Sequence, residues 1–284
     1  MGKTIAICNQ KGGTGKTTTA INLASSLATL GKSTLIVDSD PQGNTTSGLG
    51  INKNTIEKSV YDVLLGKVTI KEVLIKSRIA NLDIAPCNIN LTGAEIELVG
   101  TLSRETRLKR ALEPVKNQYD YIFIDTPPSL GLLTLNALAA CDSVIIPIQC
   151  EFYALEGVSQ FLRTINLIRD GLNSGLEIEG VLLTMADFRT NLTNEVINEI
   201  KGFFKDRVYK TIIPRNVKLS EAPSFGKPIS LYDRNSIGAK KYEEFAREFL
   251  GETAQERGSA EEKDFVRSSE DTTGKDAANV TLNE

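Results

Sequence analysis

The sequence contains no histidine and no tryptophan, and only four of its 284 residues are cysteine. The absence of histidine excludes every mechanism that uses an imidazole as the general base. A zinc site needs closely spaced ligands, and the cysteines form no CxxC pair. We therefore expect reduced cysteines near the ends of buried strands: Cys8, Cys87, Cys141 and Cys150.

Long hydrophobic runs are also missing from the sequence. No stretch approaches the roughly 20 apolar residues that a helix needs to cross a bilayer. The chain starts Met-Gly-Lys-Thr and enters a strand-like run at once, which leaves no room for a signal peptide. We therefore expect a cytoplasmic protein without a membrane span.

Charge is nearly balanced overall but unevenly distributed. The net charge is −3, and residues 251–284 carry nine acidic and four basic side chains, which leaves −5 there and +2 elsewhere. Residues 251–284 have almost no apolar side chains, so they cannot bury enough surface to become ordered. We predict an acidic, disordered tail after a domain formed by residues 1–250. The mildly basic domain leaves nucleic acid open as a partner.

Short apolar runs alternate with helical patterns along residues 1–250. The runs are β-branched and nearly continuous, as in parallel strands that are covered on both faces. The runs occupy residues 4–8, 33–37, 82–85, 121–124, 143–148, 180–183 and 210–213, and the helical patterns occupy residues 16–30, 104–117, 132–140, 154–170, 192–204 and 239–250. This alternation predicts a single α/β domain with a mostly parallel, twisted sheet and helices on both faces. We interpret the less regular residues 43–81 as an insertion near the functional site.

A glycine-rich loop follows the first predicted strand and leads into a helical pattern. It reads Lys-Gly-Gly-Thr-Gly-Lys-Thr-Thr, and its strand–loop–helix context is the one that the P-loop of an NTPase requires. The glycines let backbone N–H groups converge on phosphate oxygens at the positive end of the helix. Lys16 would bind the β- and γ-phosphates of ATP, and the Thr17 hydroxyl would bind Mg²⁺. The predicted nucleotide-binding loop is therefore Lys11, Gly12, Gly13, Thr14, Gly15, Lys16, Thr17 and Thr18.

The loop departs from the strict P-loop pattern at its first position. Gln10 stands where glycine is usual, and a second lysine, Lys11, opens the loop. This form resembles the deviant Walker A motif of the ParA/MinD family of ATPases. Later segments resemble the same family, most nearly its short chromosomal ParA (Soj) branch. They read Val-Asp-Ser-Asp-Pro-Gln-Gly-Asn from residue 37, Tyr-Ile-Phe-Ile-Asp-Thr-Pro-Pro from 121, Glu-Phe-Tyr-Ala-Leu-Glu-Gly from 151, Leu-Thr-Met-Ala-Asp-Phe-Arg-Thr-Asn from 183 and Ile-Pro-Arg-Asn-Val-Lys-Leu-Ser-Glu-Ala-Pro-Ser from 213.

The resemblance implies a role for each of these segments. Lys11 would reach across a homodimer to the ATP of the partner, and Glu151 would contact nucleotide across the same interface. Asp40 would orient or activate the attacking water, and Asp125 ends an apolar strand where open α/β sheets bind ligands. The expected catalytic residues are Lys11, Lys16, Asp40 and Asp125, and the expected magnesium site is Thr17, Asp40 and Asp125. The adenine would be bordered by Met185, Pro214, Arg215 and Asn216.

The resemblance also implies an output, for which alternatives stay open. In the leading one, an ATP-bound dimer binds double-stranded DNA nonspecifically, and a ParB-like protein on a centromere stimulates hydrolysis. The protein would then be associated with the nucleoid. Such binding depends on basic residues that contact phosphates. The candidates are Arg189, Lys218, Arg215, Lys227 and Arg234.

Three other outputs use the same scaffold. A MinD-type membrane switch would need a basic amphipathic helix at the C-terminus, and the acidic tail argues against it. An ATP-driven metabolic or metal enzyme, such as a nitrogenase iron protein, would need cluster cysteines in a pattern that this chain lacks. An orphan ParA-like positioner of another cargo cannot be separated from the leading alternative by sequence.

Overall fold

The computed structural model describes residues 2–151 and 154–252. Residues 1–246 belong to one unit, and a second unit starts at residue 247 and is described only as far as residue 252. The tail predicted for residues 251–284 therefore lies outside the described residues from 253 onward. Its disorder and its boundary stay predictions.

One sheet of eight strands runs through the described residues, in the order β3-β4-β2-β5-β1-β6-β7-β8. All neighbours in this sheet pair in parallel, except for the short β3, which pairs antiparallel with β4. The strands are β1 (Lys3–Ile7), β2 (Thr34–Asp38), β3 (Ile75–Lys76), β4 (Leu82–Ala85), β5 (Tyr121–Asp125), β6 (Ser143–Gln149), β7 (Glu177–Ala186) and β8 (Val208–Pro214). The predicted α/β domain with its mostly parallel sheet is confirmed, and every predicted run is a strand.

Helices connect the parallel strands, because parallel strands need crossover connections. They are α1 (Lys16–Thr29), α2 (Asn44–Gly48), α3 (Val60–Leu64), α4 (Ile70–Val73), α5 (Leu91–Glu97), α6 (Arg107–Leu112), α7 (Leu132–Ala140), α8 (Ala154–Gly171), α9 (Asn191–Phe204), α10 (Val217–Glu221), α11 (Ile229–Tyr232) and α12 (Ile237–Phe249). Among the described helices, none has the length and apolar content needed to cross a bilayer.

The central strands are buried on both faces. Ile5, Ala6 and Ile7 have no exposed surface, although consecutive side chains of a strand point in opposite directions. Ala6 joins a large core that includes Leu64 of α3 and Leu112 of α6. The opposite face is covered by α1, which contacts β1, β2 and β5. This two-sided burial explains why the strands read as continuous apolar runs.

Two segments differ from the sequence-based expectations. The helix predicted at residues 104–117 was wrong as a single element. It is divided into a 3₁₀ turn (Arg104–Thr106), α6 and a second 3₁₀ turn (Lys116–Gln118). The end of α6 is explained by Pro114, which has no N–H to continue the helix. Residues 43–81 are more regular than expected and contain α2, α3, α4 and β3.

Capping boxes explain part of this regularity. Ser59 and Asp62 form one at the start of α3, and Thr69 and Glu72 form another at the start of α4. In each, the backbone N–H of the first residue donates to the carboxylate three residues later, at 3.0 Å for Ser59 and 2.8 Å for Thr69, so one N–H before each helix has a partner. The Ser-x-x-Asp and Thr-x-x-Glu spacings are visible in the sequence and could have predicted both helices.

Candidate nucleotide-binding site

The phosphate loop joins the C-terminal end of β1 to the first turn of α1. Gly13 and Gly15 have φ values of +74° and +88°, a left-handed conformation that glycine adopts without strain. The loop is held from the far side by Thr184 of β7, whose hydroxyl donates a hydrogen bond of 2.9 Å to the carbonyl oxygen of Thr14. Its amide-rich turn therefore lies at the carboxyl edge of the sheet, where open α/β sheets bind ligands.

Lys16 lies inside this loop. Its Nζ donates a hydrogen bond of 3.0 Å to the carbonyl oxygen of Lys11, and the residue is only 6% exposed. Burial lowers the pKa of the ammonium group, and the negative charge of Asp125 opposes that change. A cation held in this way is available to an anion that enters the loop.

Asp125 ends β5 directly beside the loop. Its Oδ2 accepts hydrogen bonds from the hydroxyls of Thr17 (2.8 Å) and Thr45 (2.7 Å). Its Oδ1 is buried without a hydrogen-bond partner among the described residues. Burial, together with the nearby charge of Asp38, raises the pKa of this carboxyl to about 7. An unpartnered carboxylate oxygen next to a threonine hydroxyl is a set of ligands that suits a divalent cation.

These groups would supply only part of a magnesium shell. Within the described part of the chain, no three histidine, cysteine or acidic side chains lie close enough to hold a metal. Mg²⁺ usually keeps several waters and binds substrate phosphates together with one or two carboxylates. The residues present therefore fit magnesium that arrives with a nucleotide better than a permanently bound ion.

Asp38 is the last residue of β2, and Asp40 lies two residues beyond it at the same edge. Asp40 Oδ1 accepts a hydrogen bond of 2.9 Å from the backbone N–H of Gln42, which fixes the turn at Pro41. Asp40 Oδ2 has no hydrogen bond to the described residues. Asp38 is fully buried, and its Oδ2 accepts hydrogen bonds from the N–H and the hydroxyl of Thr46 at 2.8 and 2.6 Å. Asp38 therefore organises the loop, whereas Asp40 keeps one oxygen free.

Sequence reasoning missed three residues that hold this arrangement together. Thr45 shares Asp125 with Thr17. Thr46 Oγ1 accepts a hydrogen bond of 2.9 Å from the N–H of Cys87, and the Cys87 thiol donates to the carbonyl oxygen of Asp40 at 3.1 Å. The two threonines directly follow the Asp-Pro-Gln-Gly-Asn turn, which is a signal that the sequence offered. Cys87 lies two residues after β4, and no sequence signal indicates that it contacts Asp40 and Thr46.

Lys11 and Glu151, both expected to act across a dimer, lie together at the mouth of the loop. Lys11 Nζ and Glu151 Oε2 form an ion pair of 3.1 Å within one chain. The side chains are 40% and 46% exposed, so solvent screens the pair and its contribution to stability is small. Lys11 is therefore accessible, in contrast to the buried Lys16.

A cavity of about 310 Å³ opens beside the loop, where the adenine was expected. It is bordered by Gly15 and Thr18 of the loop and by four residues predicted from the sequence: Met185, Pro214, Arg215 and Asn216. Met185 has a φ of +53°, which is uncommon for a residue other than glycine and costs of order 1–3 kcal/mol. The structure brings these residues together, and their contact with adenine stays a prediction.

The candidate DNA-binding residues divide into two groups. The first group lies in the segments that follow β7 and β8. Arg189 is exposed after β7, and Arg215 and Lys218 are exposed after β8. A hydrogen bond of 3.0 Å from Arg215 N to Ala186 O joins the ends of the two strands. Arg234 is exposed beside Ser26 and Leu30, near the C-terminal end of α1 and away from the phosphate loop. Lys227 is exposed after the turn at Ala222–Phe225.

Both leading DNA candidates have acidic neighbours. Arg189 forms hydrogen bonds of 2.7 and 2.6 Å with the two carboxylate oxygens of Asp187. Lys218 pairs with Glu221 at 3.0 Å, and its Nζ lies 5.6 Å from the ring centroid of Tyr232. These exposed pairs are weak in water, so a DNA phosphate could replace the acid.

Three features define a P-loop protein of the deviant Walker A type. They are a mostly parallel sheet, a glycine-rich phosphate loop at its carboxyl edge, and a second lysine at the start of that loop. Comparison with known proteins agrees with this class. A family model described as an AAA domain matches residues 2–178. The sporulation initiation inhibitor protein Soj of Bacillus subtilis is 62% identical over 248 residues, covering 87% of this chain and 98% of that protein.

Two further proteins extend the comparison. The chromosome-partitioning ATPase Soj of Treponema pallidum is 52% identical over 255 residues, covering 90% of this chain and all of that protein. A crystal structure described as cobyrinic acid a,c-diamide synthase from Mycobacterium smegmatis with bound ADP and magnesium is 38% identical, has a TM-score of 0.78 and covers 88% of this chain and 94% of that one. The chain therefore belongs to the ParA/MinD family, in its Soj/ParA branch.

Proposed function

We propose that this chain is a DNA-partitioning ATPase, in which an ATP-bound dimer binds DNA and hydrolysis resets the protein. The observation that carries the proposal is the phosphate loop with two lysines in different surroundings. Lys16 is buried inside the loop, whereas the side chain of Lys11 is partly exposed at its mouth. The names of the relatives support the same activity, since one of them is called a chromosome-partitioning ATPase.

The residues of one chain would bind ATP as follows. Lys16 and the backbone N–H groups of the loop would hold the phosphates. Magnesium bound with the nucleotide would neutralise phosphate charge, with Thr17 as a direct ligand and Asp125 and Asp40 acting through its waters. Asp40, through its free Oδ2, would orient the water that attacks the γ-phosphate.

The second lysine would complete the site only in a dimer. Two chains would enclose two ATP molecules, and Lys11 of each chain would stabilise charge on the ATP of the other. Lys11 would first have to leave Glu151. Breaking this ion pair costs little free energy, because water screens both side chains. ATP occupancy would thereby determine the oligomeric state.

The dimer would bind double-stranded DNA without sequence preference, through Arg189, Lys218 and neighbouring basic residues. A ParB-like protein on a centromere would stimulate an otherwise slow hydrolysis, which would release the dimer from the DNA. The protein would then work in the cytoplasm on the nucleoid. The name of the cobyrinic acid synthase raises a metabolic alternative, but its identity of 38% is well below the 62% shared with Soj of Bacillus subtilis.

A gel-shift experiment with random-sequence duplex DNA tests this proposal. The protein is mixed with ATP, ADP or no nucleotide at two salt concentrations. We expect a shift with ATP only, which weakens steeply as salt is raised because phosphate contacts release counterions. A protein that shifts no DNA with ATP at low salt would refute DNA partitioning. Sedimentation with anionic vesicles in the same three nucleotide states would then test the MinD-type alternative.

A further inference from the structure

A second cavity lies away from the nucleotide site. It has a volume of about 460 Å³ and lies between the segment that contains α3 and α4 and the segment that contains α6. It shares no lining residue with the phosphate loop, with the cavity beside Met185 or with the candidate DNA surface. Its size is within the range of cavities that hold small organic ligands.

The walls of this cavity combine apolar and cationic side chains. Val63, Val68 and Pro114 provide apolar surface. The charged residues of the lining are Lys71, Arg107 and Arg110, and no aspartate or glutamate lines it. Three acids adjoin lining residues in sequence: Asp62, Glu72 and Glu113. Glu72 is bound by the N–H and hydroxyl of Thr69 and by Lys58, and Asp62 accepts from the N–H of Ser59. The cavity therefore presents positive charge that its own walls do not neutralise.

Arg107 is the most enclosed of the three cationic residues. Its Nε is buried and has no hydrogen-bond partner among the described residues. A buried donor without a partner costs free energy, and such groups are uncommon in native structures. The side chains of Lys71 and Arg110 also form no hydrogen bond or ion pair with the described residues. Three cationic side chains that have no acidic partner among the described residues therefore line one cavity.

We propose that this cavity binds a small organic phosphate, namely a phosphate monoester carried on an apolar body. Guanidinium groups bind phosphate through paired, charge-assisted hydrogen bonds, and both Arg107 and Arg110 line the cavity. A phosphate monoester carries close to two negative charges at neutral pH, so it matches three cations better than a carboxylate does. The apolar body would lie against Val63, Val68 and Pro114. This inference is independent of the proposed DNA-partitioning function.

Calorimetric titration with phenyl phosphate tests the proposal. The full chain is first saturated with ADP and Mg²⁺, so that the phosphate loop is filled and cannot bind the probe. Phenol and inorganic phosphate are titrated separately, because each carries only half of the proposed recognition. We expect phenyl phosphate to bind at least tenfold more tightly than inorganic phosphate and phenol not to bind measurably. Equal affinity for phenyl phosphate and inorganic phosphate would overturn the apolar half of the proposal.

Variants on one helix locate the site. Arg107→Gln and Arg110→Gln should each weaken phenyl phosphate binding at least tenfold. Lys109→Gln removes the same charge from an exposed position of α6 that does not line the cavity, and it should bind like the wild type. Arg110 is exposed, so its substitution leaves the fold intact even if Arg107→Gln does not fold. No binding by the wild type, or equal losses in all three variants, would refute the site.

Discussion

Three aspartates lie at the ends of two adjacent strands, and their surroundings give them different roles. Asp38 and Asp125 are paired in the register of β2 and β5, and both are buried. Both oxygens of Asp38 accept hydrogen bonds, Oδ2 from Thr46 and Oδ1 from the N–H of Asp40, whereas Asp125 retains one oxygen without a partner among the described residues. Asp40 lies two residues beyond β2 and uses one oxygen for its turn. Residue type alone does not separate these roles, because the separation depends on which oxygen is already hydrogen-bonded.

Asp40→Ala should slow ATP hydrolysis by roughly 10²-fold or more while ATP is still bound, because the attacking water loses its orienting group. The ATP-bound dimer should then accumulate, as measured by sedimentation alongside phosphate release. Asp40→Asn is the matched variant, since its Oδ1 can still accept from the N–H of Gln42. If the asparagine variant hydrolyses ATP normally, Asp40 serves the turn and not the water.

Asp125→Asn should change how stability depends on pH in protein freed of nucleotide and magnesium. The folded-state pKa of about 7 lies above the ordinary value of 3.8, so the folded state binds more protons between these values. The free energy of unfolding therefore falls as pH rises from about 4 to about 7. The asparagine variant has no carboxyl at this position, so its free energy of unfolding does not show this decrease. The difference in free energy of unfolding, variant minus wild type, should therefore be roughly 2–4 kcal/mol larger at pH 8 than at pH 4.

Urea unfolding of both proteins with EDTA at pH 4, 6 and 8 measures this effect. The difference between variant and wild type should grow with pH and level off above pH 7. A difference that is the same at all three values would mean that Asp125 is ionised throughout in the folded protein.

At the scale of elements, the edge of the sheet depends on polar contacts that sequence periodicity does not reveal. The two-residue strand β3 is joined to β4 by its ladder and by an ion pair of 2.7 Å between Lys76 and Asp83. Tyr119 donates a hydrogen bond of 2.7 Å to the same Oδ2 of Asp83. Tyr119 and Asp83 are buried, so this bond is shielded from water.

Tyr119→Phe should destabilise the fold by about 1–2 kcal/mol, because Asp83 loses a buried donor. Tyr61→Phe is the matched control: its hydroxyl donates to Glu97 at the surface, and its loss should cost less than about 0.5 kcal/mol. Urea titrations at constant pH measure both. Equal losses would show that the hydrogen bond to Asp83 contributes nothing beyond an exposed one.

At the scale of the whole molecule, Lys11 should connect nucleotide binding to assembly. Lys11→Ala should still bind ATP, because Lys16 and the loop glycines remain, but it should not form ATP-dependent dimers. Analytical ultracentrifugation with ATP and with ADP measures this. Lys109→Ala, which removes an exposed lysine from α6, should dimerise normally. An ATP-dependent dimer of unchanged strength in the Lys11 variant would contradict the shared site.

The DNA surface is also a property of the whole molecule. The double variant Arg189→Ala with Lys218→Ala should lose DNA binding at physiological salt, with an unchanged ATP-dependent dimer. The salt dependence at lower salt should become shallower as phosphate contacts are removed. Lys109→Ala with Lys240→Ala lowers the charge equally at exposed sites elsewhere. If the two double variants bind DNA alike, the DNA surface lies elsewhere on the molecule.

Much of this arrangement could be predicted because it is local in sequence. Continuous apolar runs gave the parallel strands correctly, since two-sided burial leaves that pattern. The glycine spacing located the phosphate loop. The helix at residues 104–117 was predicted without accounting for Pro114, and β3 was too short to show any periodicity. Roles taken from family resemblance, such as those of Glu151 and Lys218, stay predictions.

By itself, the sequence determined the phosphate loop, because a strand, a glycine-rich turn and a helix start are consecutive in the chain. Only the tertiary structure decided how the loop is surrounded. It placed Asp125 beside Thr17 and Thr45, Lys11 on Glu151, and Arg107 at a cavity without an anion. These contacts join residues far apart in sequence, and their energetics depend on burial and on unsatisfied atoms. Burial and hydrogen-bond satisfaction are both undefined until the order of strands in the sheet brings the strand ends together.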